Sequence, residues 1–201
     1  MIKTLLKFFC YSKQLTSFNF VYYLFIIYQL IKTAISHFRA SVEVTPNFQY
    51  NQKLNMRVVI QRVKEAKVEV AGQAVGQIAR GILIFLGVAH EDTKASADYL
   101  VKKITELRIF EDAQGKMNLS VGEVGAQFLV VSQFTLYGNC DKGRRPSFDE
   151  AANPALGEEL YHYFVTQLKA TGSLVQTGQF RDMMDVSLIN DGPVTFIIDS
   201  K

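Results

Sequence analysis

Tryptophan is absent from this sequence of 201 residues, cysteine occurs twice, histidine three times and proline four times. Each scarcity removes a class of explanation. Cys10 and Cys140 lie far apart and make neither a CxxC pair nor a disulfide framework, which suits a reducing compartment. His37, His90 and His162 share no helical or hairpin spacing, and a zinc site needs three or four converging ligands. No metal and no other cofactor is expected. A GxSxG elbow, a P-loop, HExxH and GxGxxG are all missing. The acids fall on positions patterned as surface, and no pair stands apart as general acid and base.

Bulk positive charge is missing from most of the chain as well. The formal charge is +3, yet six of the 22 basic and only one of the 19 acidic residues fall in residues 1–55. Residues 56–201 therefore carry 16 bases against 18 acids, a net of −2. A domain there that bound nucleic acid would use a local patch. The leader, residues 1–55, holds 18 uncharged residues between Lys13 and Lys32, at the lower limit for a membrane span. Cations flank the run on both sides and no small-residue cleavage site follows it. An anchor, a targeting peptide and an extended gene start with Met56 as initiator all compete. The last is favoured, because patterned sequence begins at Met56. Membrane association is expected only if the leader is real, and the domain itself is expected to be cytoplasmic.

From Met56 onward the pattern is regular. Residues 57–63 read as a strand, and residues 66–71 alternate strictly. Gly72 and Gln73 turn that strand into residues 74–78. Residues 81–88 are apolar at every position and predict a central strand covered on both faces. Asp92 or Thr93 caps a helix with Ala97, Leu100, Val101, Ile104 and Leu107 on its buried stripe. A polar loop over residues 111–116 precedes a second buried strand, residues 127–134. A long loop follows to about Ala152. Asn153 and Pro154 begin another helix in the preferred cap order, with Leu156, Leu160, Phe164 and Leu168 along one face. Strands close the chain near residues 174–177, 186–189 and 194–199. The fold class expected is α+β: mixed, mostly antiparallel sheets, layered and barrel-like, with two main helices.

Three segments break this pattern. At Ser132, Gln133, Phe134, Thr135 and Leu136 a buried apolar strand runs abruptly into hydroxyls and an amide. They either face a ligand or satisfy backbone groups where the strand ends. Asn190, Asp191, Gly192, Pro193, Val194 and Thr195 read most simply as a hairpin turn. A cis bond before Pro193 is open to the sequence too. Lys142, Gly143, Arg144, Arg145, Pro146 and Ser147 form the one dense cationic stretch, either a solvated loop or a phosphate contact.

Together these segments resemble the D-aminoacyl-tRNA deacylase family. Residues 132–136 match its SQxTL motif and residues 190–195 its NxGPxT motif. Residues 56–63 resemble its opening strand and residues 142–148 one of its loops, so the match spans residues 56–201. The leader has no counterpart.

The resemblance implies hydrolysis of the ester of D-aminoacyl-tRNA, with the free D-amino acid and tRNA as products. It also implies a homodimer whose active site lies at the subunit interface. The carbonyls of Gly192 and Pro193, inserted from the partner, would hold the α-ammonium and exclude an L side chain. Ser132, Gln133, Phe134 and Thr135 would line the pocket, with their N–H groups acting on the ester carbonyl. Thr135 would be the nucleophile or a polar anchor, the alternative nucleophile being the substrate's ribose 2′-hydroxyl. Asn190 would belong to the selecting segment and Arg62 would brace it. Lys142, Arg144 and Arg145 would meet the tRNA. Phe134 beside Gln133, and Gly192 before Pro193, favour the D-specific type, and glycyl-tRNA is a second candidate substrate. The competing reading outside enzymes is a nucleic-acid-binding module.

Overall fold

The computed structural model describes residues 55–141 and 143–201, so the readings of the leader and of Lys142 lie outside the described residues. Strand β1, Arg57–Val70, organises the sheet. Its first half pairs antiparallel with β3, Gly81–Gly87, and its second half with β2, Gln73–Ile78. Along its other edge runs β8, Asp185–Asp199, also antiparallel. Beyond β3 come β6, Gln127–Ser132, and β7, Val175–Thr177, each parallel to its neighbour.

The parallel pairs need crossovers, and helices supply them. Helix α1, Lys94–Thr105, lies between β3 and β6 in sequence, and α3, Pro154–Ala170, between β6 and β7. Asn153 caps α3 as its side chain accepts from the N–H of Leu156 at 3.1 Å, with Pro154 at the first helical position. At the cap of α1 the structure selects Thr93 over Asp92.

Residues of β3 and β6 are divided between two cores by the two-residue period of a strand. Ile82, Ile84, Leu86, Phe128 and Val130 face Leu100, Ile104, Leu160 and Phe164 of the helices. Leu83, Leu129 and Val131 face Val63, Ala66, Val68 and Ile78 inside the curl of the sheet. The apolar runs are thus covered on both sides, as their composition predicts. Gly76 of β2 lies so close to the Thr177 carbonyl of β7 that a Cβ would overlap it. The sheet thereby approaches a barrel, and the α+β class stands, with antiparallel pairings in the majority.

Two expectations need correction, and one short helix joins the two main ones. Residues 186–189 and 194–199 are not two strands about a hairpin but one strand, β8, running through Gly192 and Pro193. Its partner absorbs the irregular segment in register shifts between Gln61 and Val63 and between Val63 and Glu65. The loop over residues 111–116 is the turn of a small hairpin, β4 (Phe110–Glu111) with β5 (Met117–Leu119). A third helix, α2, Val121–Val124, follows it, ended by Gly125 in the left-handed region at φ 62°.

Candidate active site

Ser132 ends β6 beside Leu86 of β3, and the N–H of Gln133 extends the ladder by donating to the Leu86 carbonyl at 2.8 Å. The chain then coils into a single 3₁₀ turn, Phe134–Tyr137, with the N–H of Leu136 on the Gln133 carbonyl and that of Gly138 on the Thr135 carbonyl. In such a turn the first N–H groups have no acceptor within it. The N–H groups of Phe134 and Thr135 occupy those places, whereas that of Gln133 is used in the sheet. This removes Gln133 from the expected set of backbone donors and leaves Phe134 and Thr135 as the donors of the turn itself.

Side chains fix the same turn. The Gln133 amide donates through Nε2 to Thr135 Oγ1, so the threonine proton is free to point elsewhere. Phe134 stands exposed and meets Phe148 edge-on, with ring centroids 5.1 Å apart. Tyr137 closes the turn from within the core, its hydroxyl donating to the Asn55 carbonyl at 2.6 Å. Burial pushes the Tyr137 phenol far above its ordinary range, so it acts as a neutral peg.

A cavity of about 620 Å³ opens against this turn. Its floor is Leu86, Val88 and Val131, and Ser132, Gln133, Phe134 and Thr135 form one wall. Helix α3 and its cap give Asn153, Pro154, Gly157 and Tyr161, and the opposite wall is Phe180, Arg181, Asp182, Met183 and Met184. Tyr161 donates to the Val130 carbonyl at 3.0 Å, and burial pushes its pKa up to about 12. Only Arg181 and Asp182 in the lining are charged, and both are exposed. No histidine or buried carboxylate is there to serve as a base. Among the described residues no three His, Cys, Asp or Glu side chains converge on a metal position.

The second motif lies elsewhere on the chain. The Gly192–Pro193 peptide is cis, and neither residue lines the cavity. Asn190 donates through Nδ2 to the carbonyls of Arg62 and Val194, at 3.1 and 3.3 Å. Arg62, 5% exposed, donates through Nε to the Asp191 carbonyl at 2.8 Å and through Nη1 to the Ile109 carbonyl. Its guanidinium also lies 3.2 Å from the Asp191 carboxylate. Thus Arg62, Asn190 and Asp191 hold the backbone on which Gly192 and Pro193 are exposed. Arg144 and Arg145 are exposed in a third place, on a loop closed by paired bonds between Asn139 and Ser147.

The structure therefore unites Ser132, Gln133, Phe134 and Thr135 in one wall, unites Arg62 with Asn190 and Gly192 in another cluster, and leaves the two apart. Sequence reasoning did not name Tyr161 or residues 180–184. Tyr161 lies one position beyond the apolar stripe of α3, and the Phe180, Met183 and Met184 side chains in an unpatterned connection were the available signal.

Known proteins are similar to this chain in sequence and in fold. The family described as D-Tyr-tRNA(Tyr) deacylase matches residues 59–199. A D-aminoacyl-tRNA deacylase of Desulfatibacillum aliphaticivorans is 60% identical over 146 residues, 73% of this chain and 100% of that protein. One from Brevibacillus brevis is 56% identical over 145 residues, 72% of this chain and again 100% of its own length. Among solved structures, one described as the c-Myc DNA Unwinding Element Binding Protein is 40% identical, with a TM-score of 0.68 over 72% of this chain and 99% of its own. A probable eukaryotic D-amino acid tRNA deacylase shares the fold at 19% identity, with a TM-score of 0.63 and the same coverage. The chain belongs to the D-Tyr-tRNA(Tyr) deacylase family, hydrolases of the ester bond of aminoacyl-tRNA.

Proposed function

We propose that this chain proofreads chirality in translation by hydrolysing D-aminoacyl-tRNA, and that residues 56–201 carry the whole activity. The observation that carries the reading is the turn at residues 134–137, which offers two unengaged N–H groups to a cavity without any acid–base pair. An aminoacyl ester is already activated, so positioned donors and a positioned nucleophile suffice. The N–H groups of Phe134 and Thr135 receive the developing oxyanion, while Ser132 and Gln133 shape the wall and Thr135 anchors the substrate. Water adds to the carbonyl carbon and the bond to the ribose oxygen breaks. That oxygen takes up one proton of the water, the other passes to solvent, and the amino acid leaves as its carboxylate.

A second copy of the chain completes the site. Its Gly192 and Pro193 carbonyls take the α-ammonium and leave no room for an L side chain. What supports this is their exposure on a braced strand that does not line the cavity beside residues 132–135 of its own chain. Glycyl-tRNA, lacking a side chain, passes the same filter. Arg144 and Arg145 contact tRNA phosphates, and the charged tRNA sets a cytoplasmic workplace. No helix among the described residues is long and apolar enough to cross a membrane.

The 40% identical structure described as a DNA-element-binding protein favours a second reading, DNA binding without turnover. The net charge of −2 over residues 56–201 weighs against it. A multiple-turnover assay on D-Tyr-tRNA, L-Tyr-tRNA and Gly-tRNA separates them. Catalytic release of D-tyrosine and glycine, with L-tyrosine retained, is expected. Stoichiometric binding without turnover overturns the enzymatic reading.

A further inference from the structure

Asp92 sits at the start of α1 but does not cap it. The residue is only 6% exposed, and both carboxylate oxygens are committed: Oδ1 accepts from the backbone N–H of Met56 at 2.6 Å, Oδ2 from that of Ala89 at 2.7 Å. Among the described residues no lysine or arginine pairs with it. A buried carboxylate is costly without a cation, and burial pushes the Asp92 pKa up in accord with that cost. Met56 is itself fully buried and is tied down at its carbonyl, which accepts from the N–H of Ser200 at 2.8 Å. Its nitrogen therefore cannot leave the carboxylate without pulling β1 from β8.

The relatives bring a second fact. They match this chain over 145 to 146 residues and are covered over 100% of their own length, which is the length of the span that starts near Met56. The nitrogen at that position is an amide when chain precedes it and an amino group when none does. As an amide it gives Asp92 one neutral donor. As an α-ammonium it would give the same carboxylate a charge at the same place, with a charge-assisted bond of about twice the strength.

We propose that Asp92 is a built-in receptor for a free α-amino group at Met56, so that release of the leader at residue 55 completes a buried ion pair and tightens the domain. The inference rests on the Asp92 pocket alone and is independent of the catalytic reading. The ligand class is a primary α-ammonium. A blocked terminus, formylated or acetylated, does not satisfy it.

The test uses the full chain with residues 50–55 replaced by a specific protease site, cut after folding so that Met56 becomes the amino terminus. A control carries the site at residues 49–54, so that cutting leaves Asn55 first and the Met56 nitrogen stays an amide. Cutting at Met56 is expected to raise the thermal midpoint by about 2–4 °C above the control, the shift that one added bond of this kind gives in a domain of roughly 150 residues. Asp92→Asn is expected to abolish that difference. Should Asp92→Asn not fold, amine acylation of the two cut proteins gives an independent reading. The buried Met56 amine should react at least about tenfold more slowly than that of Asn55, since burial blocks the reagent and ion pairing opposes the neutral, reactive form. Equal midpoints with Asp92 in place, a gain that persists in Asp92→Asn, or equal acylation rates would each overturn the proposal.

Discussion

The two motif segments are opposite in construction. Residues 132–135 end a strand in the middle of the sheet, rest on Leu86 and Val131, and wall a cavity of their own chain. Residues 190–194 lie within the longest of the described strands, do not line that cavity, and stand beside the exposed apolar side chains of Ile189, Phe196 and Ile197. The first segment is made precise by what lies beneath it. The second is made precise by Arg62 and Asn190, which hold its backbone from one side and leave the other open. On the proposed function, a wall with a pocket and a probe that lies outside it would be complementary halves of one site. A twofold assembly of identical chains would bring the probe of each to the wall of the other.

Breaking that assembly should have the largest effect. Ile197 is 68% exposed, and Ile197→Asp places a charge on the apolar face of β8. A loss of about 2 kcal/mol in each copy counts twice in a twofold interface and weakens association about a thousandfold. Light scattering should find a folded monomer, and deacylation should fall with the dimer fraction. A monomer with undiminished turnover would mean that residues 190–194 do not act across chains.

The wall comes next. If Thr135 anchors substrate while water or the ribose hydroxyl attacks, Thr135→Ala should lower turnover about tenfold to a hundredfold, near the loss of one oriented hydrogen bond in the transition state. A covalent role for its hydroxyl would cost several orders of magnitude more, and an acyl-Thr135 species in a quenched reaction would establish it. The amide of Gln133 already donates to Thr135 Oγ1, which favours the smaller loss.

The probe can be disturbed without touching the wall. A Cβ on Gly192 would overlap Asn190 Oδ1 and lie 2.9 Å from the Val194 nitrogen, so Gly192→Ala must move the backbone or displace Asn190. Discrimination between D- and L-Tyr-tRNA should drop at least about tenfold, or ~1.4 kcal/mol. Thr135→Ser, a change of side chain in the wall, should leave that ratio nearly as it was. Steady-state kinetics with both substrates compares the two variants.

These segments also differ in how far the sequence betrays them. Ser132, Gln133 and Thr135 stand out because polar side chains follow directly on Phe128, Leu129, Val130 and Val131, and the cavity wall lies where that break falls. The strands on either side were equally legible, since an all-apolar run has no place to go except between two cores. At Gly192 and Pro193 the local signal pointed to a turn, and tertiary pairing prevailed: β1 takes up the irregularity through two register shifts, so β8 continues. The β4–β5 hairpin was hidden by strands of two and three residues, too short to show a period. Residues 180–184 were hidden for a different reason, since they line the cavity through their place in the fold and not through any repeat. Of the two cap candidates, Thr93 proved to be the cap, while the Asp92 carboxylate serves Met56, 36 positions away.

The smallest effect is expected where neither segment is touched. Arg144 and Arg145 are exposed, and among the described residues no carboxylate pairs with either, so their charge is available to a phosphate. A phosphate contact contributes affinity and carries little chemistry, because it is made equally in ground and transition states. Arg144→Ala with Arg145→Ala should raise KM several-fold for D-Tyr-tRNA and leave kcat unchanged. The dependence of log kcat/KM on log salt should flatten by about 0.7–0.9 for each phosphate that is no longer neutralised. Stability should hardly change, since surface substitutions away from packed features stay within about 0.5 kcal/mol. The D-to-L ratio should stay fixed as well, because tRNA phosphates are common to both substrates. If the ratio moved with these arginines, the loop would be shaping the cavity through the Phe148–Phe134 contact, and the wall could no longer be treated as independent of it.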